Sequence, residues 1–289
     1  MSIKQSELIL NPDGSVYHLN LKPENIANDI IFVGDQDRVE SISNHFDSIE
    51  FTTQKREFKT STGVYKGKRL TVISTGIGPD NIDIVLNELD ALVNIDLKTR
   101  KPKAILTALN IVRIGTSGSL QKDIPVDSFL MSSHALDLNG MLHSYQIEKI
   151  ANQEIENAFV KHTNWSPKKA HPILIKNSTV LAKKLMSKKI LTGITATAGG
   201  FYGPQGRVLR LPLQDAAINS KIDSFNWKGA RITNLEMETS AIYGLAQLLG
   251  HRAVSMNAII ANRANGTFSK DYKKVINNLI EYSLGKLVE

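Results

Sequence analysis

Cysteine is absent from the 289 residues, which excludes disulfides, a thiol nucleophile and any cysteine metal site. No apolar run approaches the roughly 18 residues that span a bilayer. The longest, such as Ile105 to Val112, are interrupted by Thr107 and Asn110. The opening Met1-Ser-Ile-Lys-Gln-Ser-Glu7 lacks the apolar core of a secretory leader. Linkers rich in Pro, Gly or Ser, internal repeats and low-complexity tracts are missing as well. At about 150 residues per domain the length allows two domains, but no such linker divides the chain. Hydrophobic residues at 42% and charged residues at 22% are close to globular averages. The expectation is a single domain over residues 1–289, soluble and cytoplasmic, with no membrane contact.

Thirty-five Lys and Arg against 28 Asp and Glu give a formal charge of +7, which favours anionic partners. The distribution says more than the sum. Lys168 to Lys189 holds seven lysines and no acid. Part of it follows a helical pattern with Val180, Leu181, Leu185 and Met186 inward, so the lysines read as a solvated face. Aromatics are only 6% of the chain and do not interleave with this cluster, unlike the stacking surfaces of single-stranded nucleic-acid binders. Several arginines, by contrast, sit singly beside glycines.

Apolar stretches of strand length alternate with helical patterns. Ile30 to Val33 reads as a buried strand, followed by Gly34 and a helix from about Asp37 with Val39, Ile42 and Phe46 inward. Leu70 to Ser74 is a second strand, and Ile82, Val85, Leu86, Leu89 and Val93 give the next helix its apolar face. Ile111 to Ile114, Ser128 to Ser133, Leu191 to Thr197 and Ala253 to Ile260 read as further strands. Helices are expected over Glu236 to Leu249 and Lys270 to Val288. This alternation predicts an α/β layered fold with a largely parallel or mixed sheet. Ligands of such sheets bind beyond the carboxyl ends of the strands.

Three glycine-bearing turns follow those strands: Val33-Gly-Asp-Gln-Asp-Arg38, Ser74-Thr-Gly-Ile-Gly-Pro79 and Arg113-Ile-Gly-Thr-Ser-Gly118. Glycine lets backbone approach a ligand closely, and free N–H groups at a helix start attract anions. Arg38 and Arg113 add charge-assisted donors suited to phosphate oxygens, and Thr116 adds a hydroxyl. Each turn alone is also explained by strand-to-helix geometry. None ends in the Gly-Lys-Ser/Thr of a triphosphate loop. Gly76-Ile-Gly78 lacks the third glycine of a dinucleotide turn. A small free anion suits them better.

Taken together, these turns resemble the nucleoside phosphorylase superfamily, and within it the uridine phosphorylase branch. Further matches are Lys55-Arg-Glu-Phe58, Gly200-Phe-Tyr-Gly-Pro-Gln-Gly-Arg207, Asn234-Leu-Glu-Met-Glu-Thr239 and Ile259-Ile-Ala-Asn-Arg263, with Tyr17-His-Leu19 near the start. Order and spacing agree from about residue 15 to the last helix. The resemblance implies a three-layer α/β/α domain with a central mixed sheet. It implies reversible phosphorolysis of a pyrimidine nucleoside to free base and ribose 1-phosphate, with inorganic phosphate as co-substrate and neither metal nor organic cofactor. By the same resemblance Gly34, Arg38, Arg113 and Thr116 hold phosphate, completed by Arg56 from a neighbouring subunit. Glu236, Met237 and Glu238 hold the ribose, with His18 of the neighbour at its 5′ end. Gln205 and Arg207 read the base, Phe201 packs on it, and Arg263 orders that pocket. Arg113, Gln205 and Arg207 are the residues implied in catalysis.

The chemistry wants such residues. Breaking a ribosyl C–N bond puts positive charge on the sugar and negative charge on the departing base, and stabilisation must be aimed at both. A phosphate beneath the sugar is nucleophile and counter-charge together. A Gln amide and an Arg can receive the charge that a leaving uracil places on its ring oxygens and N3. In an extended segment Gln205 and Arg207, two apart, point the same way. Glu236 and Glu238 also fit as acids at a helix start, His18 as a surface histidine and Phe201 as a core residue.

Purine-cleaving relatives carry an acid after the strand that ends here at Ile260; this chain reads Ala261-Asn-Arg-Ala-Asn-Gly266, which disfavours a purine. Arg38, Arg56 and Arg113 argue against the hydrolytic relatives. Asn94 to Ala104 is an added polar segment, expected as a surface loop or an altered subunit contact. It leaves a homodimer and a hexamer of dimers both open. Asn81 stands where some relatives have a Ser ligand for an interface cation, beside a Glu equivalent to Glu57, so no metal is expected. The rivals are a purine or methylthioadenosine-type phosphorylase, a basic nucleic-acid-binding protein, and a non-catalytic nucleoside sensor.

Overall fold

A computed structural model describes residues 2–289. The chain opens with β1 (Asp29–Val33), α1 (Gln36–Ser43), β2 (Ser48–Lys55), β3 (Phe58–Tyr65), β4 (Lys68–Ser74) and α2 (Pro79–Asn94). A small hairpin follows, β5 (Ile95–Asp96) with β6 (Lys101–Pro102), then β7 (Asn110–Ser119), β8 (Phe129–Asp137), α3 (Gln153–Thr163), β9 (Ile173–Lys176), α4 (Thr179–Leu185) and β10 (Ile190–Thr197). The last part holds α5 (Ile218–Asp223), β11 (Asn226–Trp227), β12 (Ala230–Glu236), α6 (Thr239–Leu248), β13 (Arg252–Asn262), β14 (Thr267–Phe268) and α7 (Tyr272–Val288).

The large sheet is mixed, in the order β11-β12-β10-β8-β13-β7-β1-β4-β3-β2. Strand side chains alternate between faces, and β1 buries both sets. Ile30 and Phe32 pack with Ile82, Leu86 and Leu89 of α2 and Ile242 and Leu245 of α6. Ile31 and Val33 pack on the other side with Val39 and Ile42 of α1, Leu181 and Leu185 of α4, and Leu279 and Ile280 of α7. Helices therefore cover both faces, giving the layered fold that the alternation predicts and the three α/β/α layers that the resemblance implies. Each fully buried side chain of this kind contributes about 1.5–3 kcal/mol.

One end of the sheet closes on itself. Asn234 and Leu235 of β12 pair with Ser119 and Gly118 of β7, antiparallel, so β7, β13, β8, β10 and β12 form a ring of five strands. The register between β13 and β7 shifts between Ile259 and Ala261, and such irregularities bend strands. No signal in the hydropathy pattern points to this closure.

Three expectations need correction. Glu236 lies on β12 and α6 begins only at Thr239, because the Glu236 carboxylate accepts the N–H groups of Glu238 and Thr239 and so caps the helix from outside. On α4 only Leu181 and Leu185 are buried; Val180 and Met186 are 63% and 40% exposed. The helix spans too few residues to turn a wider face inward, and Met186 lies past its end. Phe46 follows α1 and is half-buried. The Asn94 to Ala104 segment forms the β5–β6 hairpin, against which the N-terminal segment bonds through Ile3 N–H to Arg100 O (2.8 Å) and Arg100 Nη1 to Leu8 O (2.6 Å). Among the described residues no helix is long and apolar enough to cross a membrane.

Candidate active site

The carboxyl ends of β1, β4, β7, β12 and β13 open into one cavity of about 870 Å³. Its lining joins the three glycine turns to the Glu236-Met-Glu238 triplet and the 200–207 loop. Gly34, Arg38, Arg113, Thr116, Phe201, Gln205, Arg207, Glu236, Met237 and Glu238 all contribute to it.

The glycines divide by what they do. Gly76 and Gly78 have φ of 70° and 102°, in the region that L side chains avoid, so turn geometry explains them. Gly34 does not have positive φ, and an added Cβ would meet only Gly76 O at an ordinary 3.5 Å. Packing does not demand glycine there; its missing side chain leaves backbone open to the cavity. Asp35, at the start of α1, accepts the Asp37 N–H at 3.0 Å. Arg38, one turn in, makes one long contact from Nη1 to Ile114 O at 3.4 Å among the described residues. Burial, and then the nearby Arg113 charge, lowers the Arg38 pKa from its ordinary value.

Arg113 is 6% exposed. Its Nη2 lies 2.6 Å from Glu238 Oε2 and 3.2 Å from Glu236 Oε2, and its Nη1 lies 3.1 Å from Asn257 Oδ1. Burial works against the Arg113 charge, but the two carboxylates outweigh it and hold its pKa above the ordinary value. Burial first, and then the Glu236 charge, pushes Glu238 up, while Arg113 and the Gly78 N–H at 3.0 Å pull the other way. One guanidinium faces two carboxylates, so it keeps its proton while Glu238 stays under-compensated. Glu236 is occupied differently: it also accepts Thr197 Oγ1 at 2.6 Å and caps α6. It therefore does serve as a helix-terminal acid, while Glu238 lines the cavity with Arg113 on Oε2 and the Gly78 N–H on Oε1.

Also in the cavity wall, Gln205 closes a short helical turn, Gly203–Gln205, and Gly206 has φ of 67°. The segment is a turn and not the extended segment expected from the sequence, because Pro204 and Gly206 favour the reversal. The two side chains nevertheless meet: Arg207 Nη1 donates to Gln205 Oε1 at 2.6 Å and to Phe201 O at 2.7 Å. The Arg207 guanidinium stacks 3.9 Å from the Phe201 ring centroid. Phe201 is 51% exposed, so it is a mouth residue and not core. Burial, then repulsion from Arg263, lowers the Arg207 pKa. Arg263 does not line the cavity; its Nη1 donates to Gln205 O at 2.5 Å and holds the turn from behind.

His18 and Arg56 do not line this chain's own cavity, although Arg56 O accepts Gln36 Nε2 at 2.7 Å and Glu57 beside it is in the lining. His18 Nδ1 and the backbone N–H groups of His18 and Leu19 converge on the Glu88 carboxylate of α2, with Nδ1 at 2.6 Å. Arg56 is exposed at the β2–β3 turn with φ of 55°. Residues that the sequence did not single out also line the cavity, among them Gln36, Ile77, Ser117 and Phe268. Phe268 enters because β14 folds back on β13, pairing with Ala261, and Ile77 because it sits between the two turn glycines.

The chain belongs to the phosphorylase superfamily, whose family model matches residues 29–284. It is 28% identical over 271 residues to a uridine phosphorylase of Thermococcus kodakarensis, covering 91% of this chain and 83% of that one. It is 25% identical over 270 residues to a DeoD-type purine nucleoside phosphorylase of Listeria welshimeri, covering 92% and 97%. Its fold matches the solved structure of a Trypanosoma brucei nucleoside phosphorylase described as showing uridine phosphorylase activity, with a TM-score of 0.88, 30% identity, and 97% and 99% of the two chains covered.

Proposed function

We propose that this chain, acting as one domain in the cytoplasm, cleaves uridine by phosphorolysis in nucleoside salvage or catabolism. The carrying observation is that one cavity brings three kinds of group together. Arg38, Thr116 and the bare backbone at Gly34 line it together with the Arg113–Glu238 pair and with Gln205, Arg207 and Phe201. These three groups suit, in turn, the phosphate, ribose and base of one phosphorolysis.

Phosphate binds between Arg38 and Arg113, and Glu238 accepts hydroxyl protons of the ribose. A phosphate oxygen attacks C1′ as the C1′–N1 bond breaks, and the bonding pair leaves on the uracil ring. Gln205 Nε2 and the remaining Arg207 N–H groups donate to that growing charge; bonds to charged groups contribute about 1.5–3 kcal/mol each. The uracil nitrogen regains a proton, balanced by the one that the hydrogen phosphate gives up as it becomes ribose 1-phosphate, the second product. Holding nucleophile and sugar in line contributes up to about 7–11 kcal/mol. Ile260 and Ala261 in the cavity wall offer no proton donor for a purine N7, which favours the pyrimidine. Arg56 and His18 complete the site from a neighbouring subunit of a dimer or a hexamer of dimers.

The test is uracil release from uridine with and without phosphate, beside inosine. Phosphate-dependent release from uridine alone is expected. Cleavage of inosine alone would replace the base assignment, and cleavage of neither would favour a nucleoside-sensing role.

A further inference from the structure

A run of buried polar side chains crosses the interior of the five-strand ring. Asn257 Nδ2 donates to Ser132 Oγ at 3.1 Å and to Ser255 Oγ at 3.4 Å. Ser132 Oγ shares a hydrogen bond with Thr195 Oγ1, which donates to Asn234 Oδ1 at 2.9 Å. Asn234 Nδ2 donates to Ser117 Oγ at 2.9 Å. Ser132, Thr195, Asn234, Ser255 and Asn257 are 0% exposed. Buried amides and hydroxyls cost stability unless their partners are present, and apolar side chains would fill such an interior at least as well. Both ends of the run reach the cavity, at Arg113 and at Ser117.

Across the β7–β13 pairing, Asn257 stands opposite Gly115. A Cβ on Gly115 would lie 2.0 Å from Arg113 Nη1 and 2.4 Å from its Cζ. The Arg113 side chain therefore folds forward along its own strand, over the gap that Gly115 leaves, and Nη1 reaches Asn257 Oδ1 at 3.1 Å. The two hydroxyls that take up the Nδ2 protons fix which way the amide faces. Asparagine offers an uncharged acceptor toward the guanidinium and two donors behind it. It does so without adding a third carboxylate beside Glu236 and Glu238, which would repel an incoming anion.

We propose that Asn257 is a positioning residue. Locked by the polar run, it sets the direction of the Arg113 guanidinium over Gly115 and thereby the cavity's affinity for phosphate. This rests on Arg113 contacting phosphate, as proposed above.

The experiment compares wild type with Asn257→Leu, reading phosphate KM, uridine KM and the rise in Tm that added phosphate produces. Asn257→Leu is expected to raise phosphate KM about 10- to 100-fold, the size of one lost bond to a charged group, and to raise it more than uridine KM. Gly115→Ala is expected to do the same by displacing the guanidinium, and Asn257→Ala carries the test should Asn257→Leu not fold. In an Arg113→Ala background Asn257→Leu is expected to cost nothing further, since coupled residues are non-additive. Equal losses in both backgrounds, or an unchanged phosphate KM in folded variants, would overturn the proposal. Binding to the native state raises Tm, so the phosphate shift separates the two ideas. A shift in wild type that Asn257→Leu abolishes, without uridine cleavage, keeps the positioning role and removes the substrate assignment. No shift in wild type removes both.

Discussion

Nη2 of Arg113 lies 2.6 Å from Oε2 of Glu238, and both side chains are 8% exposed. Breaking a buried pair by removing one partner leaves an uncompensated charge and costs about 3–5 kcal/mol. Arg113→Met, which strands Glu236 and Glu238 together, is expected to lose stability in that range. Glu238→Gln, which keeps a neutral acceptor, is expected to lose clearly less. Urea unfolding of the two variants beside wild type measures both, and equal losses would mean that the charge is not what matters.

The stack of Arg207 on Phe201 bears on the base. A cation over an aromatic face contributes about 0.5–2 kcal/mol, and Phe201 O holds the same guanidinium. Phe201→Ala removes the ring and leaves the carbonyl. It is expected to lower kcat/KM for uridine about 2- to 30-fold, the same range converted at about 1.4 kcal/mol per tenfold. A wild-type kcat/KM would show that the ring only covers the mouth.

Asp137 makes stability depend on pH. Its carboxylate is 1% exposed and accepts Ser240 Oγ at 2.6 Å, the Gly140 N–H at 2.9 Å, and Asn139 Nδ2. Burial, the largest influence, nevertheless pushes its pKa above the ordinary 3.8. The folded protein then holds a proton that the unfolded chain has released, so this group's contribution falls as pH rises from 3.8 through the folded value. Asp137→Asn cannot titrate. Its urea midpoint is expected to fall less than that of wild type as pH is raised across that window, and parallel curves would contradict the shift.

Arg56 and Glu238 test whether the site is shared. Arg56→Ala and Glu238→Ala are each expected to be nearly inactive alone. A symmetric dimer with sites built across its interface would regain activity when the two variants exchange subunits, because one site in each mixed dimer receives an intact Glu238 and an intact Arg56. Confirmed exchange with no recovered uracil release would mean that Arg56 does not serve a neighbour's cavity.

Much of this was legible in the order of residues. The buried strand Ile30 to Val33 and the helical stripe of Ile82, Val85, Leu86 and Leu89 are local patterns, and both held, although Val93 at the end of the stripe is half-buried. The turn glycines and Arg38 follow strands directly, so the strand-end rule found them. The roles of Glu236 and Glu238 were less legible: both read as helix-start acids, but only Glu236 caps α6 while Glu238 faces Arg113. Phe268 carried no signal, because its place depends on β14 folding back over Ala261.

Local sequence determined which segments became strands and helices, where the chain turns, and which cationic and amide groups stand just past the strands. Side-chain periodicity and backbone sterics act over a few residues, and the sequence displays them directly. Tertiary structure alone decided that β12 would pair with β7 and close five strands into a ring. It also set Asn257 opposite Gly115 so that the Arg113 guanidinium has one place to lie. Those contacts join residues more than a hundred positions apart. Their free energy comes from desolvated charge and hydrogen bonds that exist only once the strands have met.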